Sequence, residues 1–371
     1  MALLYIIPVI ACLILHFGFE YNGKWDAYLW LFLTGEGAVA LSHWLLYRAH
    51  IRCKEYLGAI VVSVWHEDEW TEIVYRTVTR TDSKGKTQTF TKVEHRRHPE
   101  KYYFYSSLGT RFTSNYSFYD YIGNLWKVPR ICERRRDANI VGGSRGVQHY
   151  EFSDLSSEDQ SNSDNWIPLT EVRHYVNKIR RSNSIFKFEE INRKRAKELG
   201  LYNYPKIDQS DAPCILSSGF NVPEYADEMF RKFNAFYAPQ VEMRLYILLF
   251  EASRGIGVSK LQQAYWQGGN KNEFIICIGV GENGDAEWAY AFSWAEYQQK
   301  EREAADWIMK HPLFKWHEFH DWFVEHIKGW KRRSFSTDFN YIGVTLPLWK
   351  NLIIIIIALS VCTVAIRLIL K

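Results

Sequence analysis

LPLWKNLIIIIIALSVCTVAIRLIL, residues 346–370, carries no charge from Leu352 to Ile366 and holds five consecutive isoleucines, Ile353 to Ile357. A helix rises ~1.5 Å per residue, so roughly 20 apolar residues cross the ~30 Å hydrocarbon core of a bilayer. With Leu346–Trp349 and Leu368–Leu370 counted, the stretch is long enough. Lys350 and Arg367 bracket it and can carry their charges outward on apolar stems.

Working outward, the same chemistry stands at the other end of the chain. ALLYIIPVIACLILHFGF, residues 2–19, contains no Lys, Arg, Asp or Glu. A secretory signal wants a basic start and a small-residue cleavage site, and neither is evident, so the segment reads as an uncleaved anchor. AYLWLFLTGEGAVALSHWLLY, residues 27–47, follows after a short polar link. Trp25, Tyr28, Trp30, Trp44 and Tyr47 crowd its ends as an interfacial belt does. The expected architecture is an α+β membrane protein. It comprises a transmembrane helical hairpin (2–47), a β-rich subdomain (56–130), a loop and basic helical linker (131–220), an α/β subdomain (221–311), an amphipathic helix (312–335) and a C-terminal transmembrane helix (346–370).

Glu36 is the one acid in the second span, and a carboxylate is costly in hydrocarbon. It reads either as a proton- or ion-handling group or, preferably, as a protonated acid bonded to His16 or His43. Orientation follows from flanking bases. Arg48, Arg52, Lys54, Lys328, Lys331, Arg332, Arg333 and Lys350 lie on the side of the folded region, against Lys24, Arg367 and Lys371 on the other. That places the folded region in the cytoplasm, with the protein in a plasma or inner membrane. Six scattered cysteines without a CxxC pair fit a reducing compartment.

Between the anchors, 15 Trp, 23 Tyr and 22 Phe are ample for a core, and a net charge of +4 argues against a nucleic-acid binder. Ala59–Trp65, Thr71–Arg80, Thr87–Glu94 and Lys101–Ser106 read as strands, with a turn over Asp82–Lys86. The tyrosines of Tyr116–Tyr121 read as part of a further strand or meander. Glu151–Asn165, acidic and serine-rich, reads as a solvated loop, and Thr170–Gly200 as a basic helical region.

The clearest periodicity is in 221–311. A helix begins near Pro223 with Tyr225, Met229, Phe233 and Phe236 on one side. A strand (Leu245–Phe250), a helix (Val258–Trp266) closed by Gly268-Gly269, a second strand (Phe274–Val280), a turn at Glu282–Asp285, a third strand (Glu287–Trp294) and a charged helix follow. The preparatory helix, the strand, the helix with Tyr265-Trp266 before glycines, the second strand and the hairpin together resemble a TPM domain, a module of membrane-anchored proteins. That resemblance implies metal binding, phosphatase-like activity or assembly of membrane complexes, and a domain facing outward, against the charge argument. Glu251, Glu282 and Asp285 are the acids nearest its loops.

Two histidine groups have ligand chemistry. His66-Glu67 and His95-x-x-His98 would meet if their strands pair, and a divalent metal needs three or four such ligands. His317 and His320 share one helix face, and the same helix carries the apolar stripe Trp316, Phe319, Phe323, Ile327 and Trp330, which reads as an amphipathic helix on the domain or among lipid headgroups. Arg180, Arg181, Arg193, Lys194, Arg195, Lys331, Arg332 and Arg333 are candidates for meeting anionic lipid; Phe186, Phe188 and Tyr202 offer stacking rings. No GxSxG, P-loop or kinase motif occurs. The favoured function is a non-catalytic scaffold or assembly module with no resident cofactor, partnered by lipid and by another protein or a second copy. A metal-dependent hydrolase or phosphatase and a transporter or channel subunit are the alternatives.

Overall fold

A computed structural model describes residues 2–81, 85–134, 140–143, 146–209, 212–311 and 315–371. The turn residues Asp82–Lys84 and the arginines Arg135 and Arg136 lie outside them. The N-terminal run is one irregular rod: a 3-10 turn at Ala2–Ile6, helix α1 (Ile7–Leu13) and a π turn at Ile14–Gly18. At this length it is shorter than the span expected from its sequence. Helix α2 (Trp25–Ile51) is longer than expected and runs without a break into strand β1 (Arg52–Glu67).

Strand β1 organises the next part. Its residues Leu57–Val61 are buried on both faces, as a β-branched run in a covered sheet should be. Strands β2 (Trp70–Thr81) and β3 (Thr87–His98) form a long hairpin. Strands β4 (Lys101–Ser106) and β5 (Arg111–Ser114) return along β1. The tyrosine run is a helix, α3 (Tyr116–Trp126), where a strand or meander was expected. Asn115 caps it, its side-chain oxygen accepting from the Phe118 amide at 2.9 Å. Tyr119, Ile122 and Trp126, spaced 3 and 4, are its buried stripe.

Strands β6 (Ile131–Arg134), β7 (Ile140–Gly143) and β8 (Gly146–Glu151) follow, then helix α4 (Ser157–Ser161) between two 3-10 turns in the segment expected to be loop. Strand β9 (Pro168–Val176) occupies the start of the region expected to be helical. It pairs antiparallel with Arg52–Ile60, so the inner half of β1 has a ladder partner. The sheet order is β5-β4-β1-β8-β6, while β7 joins β2 and β3 in a separate three-stranded ribbon. Only helix α5 (Arg193–Glu198) is helical in the basic segment apart from a 3-10 turn at Ile179–Arg181.

The α/β part has the expected order. Strand β10 (Ile215–Ser217), helix α6 (Glu224–Phe236), strand β11 (Arg244–Glu251), helix α7 (Gly257–Tyr265), strands β12 (Glu273–Val280) and β13 (Ala286–Ser293) and helix α8 (Gln299–Lys310) build a β10-β11-β12-β13 sheet, parallel except for β13. One face, with Leu245, Ile247, Phe274 and Ile276, packs on α6, α8 and helix α9 (Trp316–His326). The other, with Tyr246, Leu248, Ile275 and Cys277, packs on α5 and α7. Phe319 and Phe323 of α9 are fully buried, each stabilising by roughly 1.5–3 kcal/mol, so that helix lies on the domain and not among headgroups.

Helix α10 (Phe335–Asp338) leads to helix α11 (Leu348–Ile369). Helices α2 and α11 are both long and apolar enough to cross a membrane. With α1 they form a bundle whose inner positions are small or branched: Leu31, Gly35, Val39 and Ser42 on α2, and Ile354, Ala358, Cys362 and Ala365 on α11. A Cβ at Gly35 would stand 2.8 Å from the Pro8 ring and 3.0 Å from Cys362 Sγ, so glycine lets the three rods touch. Leu33, Leu41, Leu45, Ile356, Leu359, Val364 and Leu368 face outward and are exposed.

Candidate functional site

His66 and His98, expected to hold a metal, each meet a different carboxylate. His66 Nε2 meets Glu100 Oε1 at 2.7 Å and its ring stacks on Tyr102. His98 belongs to the ribbon, with Nε2 3.1 Å from Glu72 and its ring on Trp70. His95 lies opposite Ile73 and is exposed, and Glu67 accepts from the Tyr103 hydroxyl at 2.9 Å. Strand β1 pairs with β4 and β8, whereas β2 and β3 pair with each other, so His66 and the hairpin histidines belong to different sheets. His317 stacks on Tyr225, and His320 Nδ1 sits 3.0 Å from Asp321, both in an open groove of about 580 Å³. Among the described residues no group of three or more His, Cys, Asp and Glu could hold a metal ion.

Glu36 is half-buried in α2 and bonds neither histidine. His16 Nδ1 lies 3.1 Å from the Tyr28 hydroxyl, and His43 stacks on Tyr47. The basic candidates divide. Arg332 bridges Glu55 at 3.0 Å and Glu242 at 2.5 Å, and Arg333 donates to the Ala295 carbonyl at 3.2 Å. Arg180 donates to the carbonyls of Trp266 and Gly269. These three hold the domain together. Lys331 is exposed. Arg193, Lys194 and Arg195 are exposed on α5, which packs with Phe250 and Ala252 near the carboxyl ends of the strands. That is the end away from α2. Arg181 alone stays at the helix bundle, in the turn that packs against α2. The rings offered for stacking are occupied: Phe186 against Phe339, Phe188 against Trp294, Tyr202 against Phe250.

What the sequence did not show is a buried polar junction beneath the bundle. The Asn177 amide donates to the carbonyl of Ile51, the last residue of α2, at 2.8 Å. The Asn177 side chain donates to the Tyr175 hydroxyl (3.2 Å), which donates to Asn270 Oδ1 (3.3 Å). Asn270 in turn donates from its amide (2.7 Å) and its side chain (2.8 Å) to Glu273, which also accepts from the Tyr204 hydroxyl. Glu273 is fully buried. Loss of water pushes its carboxyl up to about 8, against the opposing pull of the Asn270 amide and Arg180. Beside it Glu55, 4% exposed, lies 3.4 Å from Lys271 and 3.0 Å from Arg332.

The same seam joins the two subdomains. A Cβ at Gly58 would overlap the Asn234 carbonyl, so only glycine lets β1 pass α6 this closely. Asn272 donates to the Tyr56 carbonyl at 2.7 Å, and Trp166 stacks on Phe236 at 3.9 Å. Arg244, 1% exposed, reaches Tyr246, Thr170 and Ala212. None of these groups pairs a nucleophile with a base. The chemistry present is hydrogen bonding and ion pairing that ties α2 to the sheet.

A smaller cleft of about 290 Å³, lined by Lys197, Tyr202, Ser218, Glu251 and Arg254, opens at the carboxyl ends of β10 and β11. Arg254 is committed there to the carbonyls of Leu199 and Gly200, which also line the cleft. Comparison of the chain with protein-family models, with curated proteins and with solved structures gives no match.

Proposed function

We propose that this protein is a membrane-anchored, non-catalytic assembly module. In this reading α2 and α11 cross the bilayer, the folded region faces the cytoplasm, and the β2–β3 ribbon meets a protein partner. The ribbon is the observation that carries it. Its two strands are 12 residues each, and beyond Tyr75 both are almost wholly exposed. Past Glu72, where its pairing with β7 ends, the ribbon is two-stranded, which is marginal in water without something packed on a face. One face presents Tyr75 opposite Val93 among paired threonines, Thr77 with Thr91 and Thr79 with Thr89. The other carries Val78 opposite Phe90, between Arg76 with Lys92 and Arg80 with Gln88. Tyr75, Phe90 and Val93 are about half exposed.

The anchor is supported by the inverted surface of the bundle, apolar outside and small inside. The orientation rests on the bases flanking the spans. An assembly role is also among those the TPM resemblance implies. The test is crosslinking of the full chain in membranes, wild type against Tyr75→Ser/Phe90→Ser. The expected result is a discrete adduct lost in the variant; an identical adduct pattern in both would refute the role given to the ribbon.

A further inference from the structure

The junction between the bundle and the folded region holds positive charge with nothing opposite it. Lys350 lies in the first turn of α11 and is only 8% exposed. The Lys350 and Asn351 amides donate to the Pro347 carbonyl at 3.0 and 3.3 Å, which leaves those of Leu348 and Trp349 without an acceptor among the described residues, and the helix dipole adds positive potential there. Arg181 stands in the 3-10 turn that packs against α2, four residues after Asn177, whose amide reaches the Ile51 carbonyl next to His50 at 2.8 Å, and the same end of α2 packs through Leu46 and Tyr47 against Leu346 and Ile354 around Lys350. Among the described residues neither Lys350 nor Arg181 forms an ion pair. Glu190, the acid that senses Arg181, is taken by Lys187 at 2.7 Å. Neighbouring Lys178 is committed to the Asn340 carbonyl and side chain.

The level of this cluster identifies its counter-charge. Trp44 beneath Arg48 and Trp349 beneath Lys350 are both exposed at the domain end of the apolar helices, where α2 and α11 run antiparallel. Exposed tryptophans beside bases mark the headgroup layer. A buried ammonium gathered with two further bases is unfavourable alone, and an anion of matching size relieves it. We infer that Lys350, Arg181, His50 and the first turn of α11 form a site for the phosphate of an anionic phospholipid headgroup. This rests on the membrane reading above and adds a specific lipid to it.

The test uses the full chain in mild detergent, titrated with phosphatidylglycerol, phosphatidylcholine or inorganic phosphate, with bound lipid counted by native mass spectrometry. Phosphatidylglycerol is expected to bind at least roughly tenfold more tightly than phosphatidylcholine. Lys350→Gln and Arg181→Gln should each weaken it by roughly fivefold, and the double variant more. Lys350→Arg should retain binding, and Arg80→Gln on the ribbon should change nothing. Equal affinity for the two lipids, or a double variant that binds as wild type does, would overturn the site. Inorganic phosphate binding as well as phosphatidylglycerol would overturn the lipid as its source. Alkaline extraction of native membranes separates the two readings: release without detergent sinks the anchor itself, whereas retention with no anionic preference sinks the lipid site alone.

Discussion

Glu273 makes stability depend on pH in an unusual direction. It is the first residue of β12, fully buried, and its carboxyl titrates near 8 where an ordinary one does so near 4.5. Between those two values the native protein keeps the proton and the unfolded chain has released it. Stability therefore falls as pH rises across that window and, on account of this group, is level on either side. The stabilisation from the neutral carboxyl is complete below about pH 4.5 and gone above about pH 8. The gap of 8 − 4.5 = 3.5 pH units, at ~1.36 kcal/mol each, corresponds to about 5 kcal/mol. That is a ceiling, because Arg180, whose Nε has no partner among the described residues, can turn toward the ionised form. The perturbation is Glu273→Gln, which removes the ionisation and keeps the shape. The assay is thermal unfolding in mild detergent followed by tryptophan fluorescence from pH 4.5 to 9. Wild type should lose stability relative to the variant by up to ~1.36 kcal/mol per pH unit through the window. A difference curve flat between pH 5 and 8 would refute the reasoning.

Other substitutions probe the remaining contacts. Gly35→Leu should drive α1 and α11 off α2 and lower the melting temperature in detergent, at about 1–3 kcal/mol or more. Glu55→Ala leaves Lys271 and Arg332 facing each other and should destabilise by about 3–5 kcal/mol in denaturant titration, with Lys271→Ala added to it recovering part of the loss. Phe319→Ala should cost about 3–5 kcal/mol by the same measure, whereas a helix lying on lipid would lose far less. His66→Ala should change stability by about 1 kcal/mol or less and leave the elemental content of the purified protein unchanged.

Much of the architecture was legible because it rests on local pattern. Long apolar runs, the alternation around Thr71–Glu94 and the strand–helix–strand–hairpin spacing of 245–294 each repeat within a few residues. The errors came where local preference and tertiary demand diverge. The aromatic run Tyr116–Trp126 favours a strand by composition, but the Asn115 cap and the 3–4 spacing of its buried rings select a helix. Thr170–Val176 became a strand because the inner half of β1 has backbone groups to satisfy, a need recorded over a hundred residues earlier in the chain. The partners of the basic residues were hidden for a related reason. Arg332 finds Glu55 across 277 positions, and no window of sequence shows that pair. The Asn177–Tyr175–Asn270–Glu273 chain is likewise assembled from separate segments whose spacing carries no period.

The direct passage of α2 into β1 sets a dimension. There is no slack between the apolar helix and the sheet: the peptide leaves Ile51 as helix and enters Arg52 as strand, and the Asn177 amide pins that point. At ~3.3 Å per residue the 16 residues of β1 reach about 50 Å, and the ribbon is rooted at the far tip. In the proposed assembly role the chain would work as a ruler standing on the membrane, selecting partners by how far above the surface they present themselves as well as by what they are made of.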